Sequence, residues 1–145
     1  MKRLLFSLVM AIVAMHLAAC NTLSHQPRLA DPSLVPDKVM LGQSPILTVK
    51  VTDHYRIVSR VVATVRDHPE TKFELRDDGK APDKVALDGI WTAELAVPFM
   101  APPGAFTMDI SGYNKKDAII LVRKTKDANG PLTESVSFSI VYPDR

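Results

Sequence analysis

The segment Arg76–Trp91, RDDGKAPDKVALDGIW, gathers Asp77, Asp78, Asp83 and Asp88 within sixteen residues. Carboxylates at this density are hard oxygen donors, and calcium is the cation that suits them. An EF-hand would need oxygen donors on alternate residues, a glycine at the sixth position and a closing glutamate. This segment has no closing glutamate, and Lys80 and Lys84 place two positive charges inside it. The same residues also read as turn formers. Asp77-Asp78-Gly79 would end one strand and Asp88-Gly89 would open the next, because Asp side chains bond their own backbone and glycine tolerates positive φ. Turn formation is the main reading, and calcium binding stands beside it as the alternative.

Other chemistry-bearing residues fall in separate loops. Asp53-His54 and Asp67-His68 suggest zinc, but the strand between them spans roughly 30 Å at about 3.3 Å per residue, so the two pairs cannot share an ion. Each is expected to form a turn. If successive strands run antiparallel, Asp53 and Asp117 come to the same end as the aspartate loop. A shared calcium set of Asp53, Asp77, Asp78, Asp83, Asp88 and Asp117 is then the metal expectation, with Tyr55 and Tyr113 as a contact surface at that end. Trp91 is in phase with Ala93, Leu95 and Val97, which predicts a core position. The sequence holds no GxSxG elbow, no HExxH and no glycine-rich phosphate loop. The protein is therefore not expected to be an enzyme, and calcium is the one cofactor considered.

The elements that must position these residues begin with the N-terminus. MKRLLFSLVMAIVAMHLAAC has two positive residues, an apolar run from Leu4 to Ala14, then small residues and Cys20. That order is a secretory signal, and the apolar run is shorter than the ~20 residues of a membrane span. The full chain carries 18 Lys+Arg and 16 Asp+Glu. Loss of Lys2 and Arg3 with the signal leaves sixteen of each, so no charge-driven nucleic-acid partner is implied. Cys20 is the single cysteine, so no internal disulfide supports the mature domain, which must rely on its core.

Asn21 to Asp37 carries Pro27, Pro32 and Pro36 among polar residues and reads as a flexible tether. Beyond it, period-two alternation predicts strands over Ile46–Thr52, Ile57–Arg66, Thr71–Arg76, Ile90–Val97, Ala105–Ser111 and Ser135–Tyr142. A short strand is expected around Val39–Leu41, and the continuously apolar Ala118–Val122 reads as a central strand. Turn signals separate them, among them Asp67-His68-Pro69, Pro102-Pro103-Gly104 and Asn129-Gly130-Pro131. The fold class expected is all-β, an antiparallel sandwich of seven or eight strands.

Two resemblances sharpen this. Leu17-Ala18-Ala19-Cys20 resembles the lipobox of bacterial lipoproteins. That family lipidates the cysteine, so the resemblance implies membrane attachment through Cys20. Asn21 stands where the family's inner-membrane retention signal has aspartate, which implies the outer membrane. The second covers about Leu41 to Tyr142. LRDDGKAPDKVALDGIWTAELAVP and PPGAFTMDISGYNKKD resemble the immunoglobulin-like domains called choice-of-anchor X, through Asp77-Asp78-Gly79, Asp88-Gly89, Trp91-Thr92-Ala93 and Pro103-Gly104. Pro82-Asp83-Lys84 departs from that pattern, which usually has glycine before the aspartate. The expected organisation is a signal peptide over 1–19, a lipidated cysteine and tether over 20–37, and an immunoglobulin-like sandwich over 38–145. The expected function is a lipid-anchored envelope module that binds a protein partner or acts structurally. An accessory subunit or inhibitor of an envelope enzyme or assembly system, and a calcium-dependent adhesion module, are the alternatives.

Overall fold

A computed structural model describes residues 25–142. The signal peptide, Cys20 and the first residues of the expected tether lie outside the described residues. Ten strands form in chain order: β1 Arg28–Val35, β2 Lys38–Met40, β3 Ile46–Thr52, β4 Arg60–Val65, β5 His68–Leu75, β6 Ile90–Glu94, β7 Gly104–Tyr113, β8 Leu121–Arg123, β9 Asn129–Pro131 and β10 Thr133–Val141. Among the described residues there is no helix, and hence none long and apolar enough to cross a membrane. The all-β sandwich is as expected. Sheet order is β1-β3-β6 in one layer and β2-β10-β7-β4-β5 in the other, with β8-β9 as a separate pair.

Alternation builds the core. In β3, Leu47, Val49 and Val51 are buried while Lys50 and Thr52 are exposed. Val61, Ala63 and Val65 of β4, and Met108 and Ile110 of β7, supply the facing layer. A strand has a side-chain period of two, so each element buries one face and wets the other. Each large core side chain removed from water contributes roughly 1.5–3 kcal/mol. Trp91 is half-buried and packs against this core.

Several expectations are corrected. The tether expected over Asn21–Asp37 is largely a strand: β1 pairs antiparallel with β3, and Leu29 and Leu34 enter the core. Its prolines sit where no ladder bond is required. Pro27 precedes the strand, Pro36 follows it, and Pro32 falls in the bulge where the register shifts between Ala30 and Ser33, beside Asp31 at φ 51°. The domain boundary at 38 therefore moves to the start of β1. The turn expected at Asp67-His68-Pro69 contracts to Arg66-Asp67, and His68 and Pro69 begin β5. β5 is a sheet edge, where proline costs no ladder bond.

Ala118–Val122 is not a central strand. Ile120 and Val122 are buried, but Leu121 is exposed, and β8 pairs only with β9. Asn129-Gly130-Pro131, expected as a turn, is β9 itself. The sandwich is also not wholly antiparallel, since β2 runs parallel to β10.

Candidate functional site

The sandwich has two ends of different chemistry. At one end lie the start of β1, the end of β3, the end of β5, the start of β6 and the end of β7. The registers Arg28↔Thr52, Lys50↔Ile90 and Arg60↔Tyr113 fix this grouping. The expected metal residues lie on loops at this polar end.

Asp77 follows β5, which an isolated bridge from Arg76 to Thr92 ties to β6. Both Asp77 oxygens accept backbone amides: Oδ1 from Asp88 at 3.2 Å and Oδ2 from Gly89 at 3.1 Å. Asp83 is buried; its Oδ2 accepts from Gly79 N at 2.6 Å and its Oδ1 from Val85 N at 3.4 Å. Asp88 Oδ1 accepts from Ile90 N at 2.8 Å, and Asp78 Oδ1 from Lys80 N at 3.0 Å. Gly79 and Gly89 take φ 72° and 83°, and a Cβ on Gly89 would stand 2.9 Å from the Val51 carbonyl oxygen. Every aspartate of the segment thus shapes the loop by the turn chemistry the sequence suggested.

Of the six residues expected to share a metal, the structure brings three together. Asp77, Asp83 and Asp88 each offer one oxygen within 4.8 Å of the others, a spacing that fits a cation. Asp78 turns toward Lys80 and Arg76 instead, the Arg76 Nη1 lying 3.9 Å from its Oδ2. Asp53 shares a cleft of about 220 Å³ with Asp77, Arg56 and Trp91. Its Oδ2 accepts from Val58 N at 2.6 Å, and its Oδ1 is buried with no hydrogen-bond partner. Ile57–Ser59, expected in the same strand as Arg60–Val65, lies outside β4. Asp117 is held by Arg60, whose guanidinium is pushed above its ordinary value by that hydrogen bond. It belongs to an ion cluster with Glu74 rather than to the aspartate trio.

The two expected contact tyrosines differ. Tyr55 is 64% exposed and stacks edge-on with His54 at 5.1 Å, with His25 at 5.9 Å. Tyr113 ends β7 half-buried, and the Arg60 guanidinium covers its ring at 5.5 Å. His25, near His54 and Tyr55, shows that the chain enters the domain at the polar end.

The opposite end holds what sequence reasoning missed. A cavity of about 370 Å³ opens between the layers, lined by Pro45, Val65, Phe73, Leu95, Val97, Pro98, Ala101, Phe106, Met108, Phe138 and Ile140, with His68 and Thr71 as its polar members. Phe106 and Phe138 stack at 5.6 Å along one wall. The β6–β7 loop forms the rim. Tyr142 Oη donates to the Ala101 carbonyl at 3.0 Å, and the Phe99 ring lies over Gly42. Phe99 and Met100, at the tip, are 79% and 93% exposed. The legible signal was Val97-Pro-Phe-Met-Ala-Pro-Pro103, seven residues without one polar side chain.

On the outer face of the larger sheet, Arg66 grips Asp109 through two hydrogen bonds, at 2.6 and 3.0 Å, and Ser135 Oγ adds a third at 2.7 Å. The Arg66 hydrogen bond holds the Asp109 carboxyl below its ordinary range. This cluster ties the turn after β4 to β7 and β10.

No protein-family model matches the chain, and no curated protein matches it in sequence. Among solved structures the chain is similar to the endo-beta-1,4-mannanase from Thermotoga petrophila, at a TM-score of 0.51 and 15% identity. The likeness covers 88% of this chain and 22% of that one. At this identity it speaks for the fold alone: the sandwich is one that another chain carries as a minor part of its length.

Proposed function

We propose that the protein is a lipid-anchored module of the bacterial envelope that works by binding rather than by catalysis. The observation that carries this reading is the pairing of a lipobox-like Leu17–Cys20 with His25, five positions later, whose ring packs against His54 and Tyr55 at the polar end. Five residues span at most ~18 Å. A lipid on Cys20 would therefore hold the polar end at the membrane and turn the apolar cavity away from it, toward whatever the module meets. The partner is an envelope protein on this reading, with no role for nucleic acid, and the outer membrane is the favoured address.

Cell fractionation with metabolic fatty-acid labelling tests the address. The wild-type chain is expected in the membrane fraction, labelled, and processed to a smaller size than the precursor. Cys20→Ala is expected to be unlabelled and unprocessed. A labelled, processed Cys20→Ala protein would refute the anchor.

A second reading, a calcium-dependent contact, is favoured by the Asp77, Asp83 and Asp88 oxygens within 4.8 Å and by the orphan Oδ1 of Asp53 in the adjoining cleft. Millimolar calcium is expected to raise the melting temperature on this reading. An unchanged melting temperature removes it.

A further inference from the structure

We propose that the cleft on the flank of the sandwich, between the entry to β1 and the β8–β9 pair, is an anion site that takes the phosphate of a phosphate ester. The phosphate chemistry stands on the cleft alone; only a lipid headgroup as its source rests on the membrane-anchored reading above.

Three observations carry it. First, the cleft is a built concavity. It encloses about 290 Å³ over a floor of buried Leu29, Val122 and Leu132, a size at the small end of ligand cavities that suits a compact polar group. Its two sides are tied together, because Arg123 N donates to Gln26 Oε1 at 2.6 Å. Second, three cations, Arg28, Arg123 and Lys124, line it against one carboxylate, Glu134, an excess of two positive charges. Among the described residues none of these four forms an ion pair, whereas Arg60, Arg66 and Arg76 each pair with a carboxylate. Asp31 and Asp127, the acidic residues nearest to the three cations in the chain, neither line the cleft nor pair with them. Third, the lysine is laid in place. Its stem crosses Gly130, where a Cβ would stand 3.0 Å from Lys124 Cγ, and its Nζ lies 3.5 Å from the Thr133 carbonyl oxygen. That carbonyl uses one of the ammonium's donors and leaves the others for a ligand.

Phosphate fits this donor set better than a carboxylate does. A guanidinium offers paired N–H groups that match two phosphate oxygens, and an ammonium adds a point charge. Two arginines and a lysine present more donors than the two oxygens of a carboxylate can fill, while a phosphate monoester brings three oxygens and up to about −2 charge. Glu134 would repel a bare anion but accepts a hydroxyl or ammonium carried by the alcohol of an ester, which favours an ester over inorganic phosphate. The cleft also lies beside the entry of the chain. Gln26 is six residues after Cys20, a reach of at most ~22 Å, so a lipidated Cys20 would keep the cleft close to the headgroups of its own leaflet.

The test has two arms, both on the full chain purified from membranes in a neutral, phosphate-free detergent. In the first, glycerol phosphate is titrated at constant ionic strength and amide NMR shifts are followed. Saturable shifts are expected at Arg28, Arg123 and Lys124. Arg123→Gln, at an exposed side chain, is expected to weaken binding about tenfold with unchanged circular dichroism, and Lys80→Gln in the aspartate loop to leave it unchanged. In the second, the chain is reconstituted into vesicles of phosphatidylglycerol or of a phosphate-free glycolipid, and acetylation of the Lys124 amine is read by mass spectrometry. Protection in phosphatidylglycerol alone, lost in Arg123→Gln, is expected. Such protection, with or without saturation in solution, assigns the headgroup. Saturation without protection keeps the phosphate site and overturns the lipid as its source. Neither saturation nor protection, or shifts that Lys80→Gln weakens as much as Arg123→Gln, overturns the site. Lipidation of Cys20 is read separately by the fatty-acid labelling above, and its failure would leave the glycerol phosphate arm standing.

Discussion

The two ends of the sandwich are built from opposite materials. At the polar end, charged and ring side chains are engaged in local bonds. Asp77 accepts from Asp88 and Gly89, Asp83 from Gly79 and Val85, and Asp117 from Arg60. At the apolar end, a cavity stands open beside an exposed Phe99 and Met100. Residue types that could do chemistry are thus largely consumed in holding loops, and residue types without chemistry are left unsatisfied. For a binding module the second condition is the informative one, because unburied apolar surface is what association removes from water.

This contrast makes ordered predictions for single substitutions. The largest loss of stability is expected at the polar end of the core. Leu75→Ala removes a fully buried side chain directly before the aspartate loop, and a cost of about 2–5 kcal/mol is expected in chemical denaturation. Asp83→Ala comes next. It strips the Gly79 and Val85 amides of their acceptor in a buried setting, for a cost of about 1–3 kcal/mol. If Asp83→Ala were neutral, the loop would not depend on its aspartates for shape, and the metal reading would gain.

Gly89→Ala adds a Cβ 2.9 Å from the Val51 oxygen at φ 83°, and a loss of about 1–2 kcal/mol is expected. The Asp109–Arg66 pair is expected to give a pH signature. The folded state lowers the Asp109 carboxyl chiefly through its Arg66 hydrogen bond. Its contribution is therefore present above the unfolded value of roughly 4 and fades as pH falls through the depressed folded value. Asp109→Asn should flatten that part of the acid unfolding profile. The smallest effect belongs to the apolar tip: Met100→Ser should leave the stability of the isolated chain within ~0.5 kcal/mol, because the side chain contacts mainly water. A loss above 2 kcal/mol there would mean that the tip supports the fold and is not held in reserve for contact.

The legibility of the sequence divides along the same line. Alternation in β3, β6, β7 and β10 exposed the sandwich and its core because burial on one face imposes period two directly on residue choice. β1 escaped because its prolines, at its two flanks and its bulge, erase the local signal while tertiary pairing with β3 supplies the strand. Leu121 made Ala118–Val122 look central, since composition alone cannot tell an apolar residue left in water from one in a core. The aspartate turns were readable from Asp-Gly spacing, and their meeting within 4.8 Å was not, because it depends on how far the loop folds back across Gly79 and Asp83. The cavity was invisible for the same reason: its walls come from strands distant in sequence, and only the Val97–Pro103 run hinted at its rim.

The central claim, that the apolar end is the contact surface and the aspartate loop is a structural one, meets its most direct test in hydroxyl-radical footprinting of the full chain. Oxidation at each end would be compared between native membranes and dilute detergent solution. The account predicts that Phe99 and Met100, the latter readily oxidised to the sulfoxide, are protected in membranes and react freely on dilution, while Val85 and Leu87 of the aspartate loop keep one rate throughout. Protection of Val85 and Leu87 with Phe99 and Met100 equally reactive in both settings would contradict it.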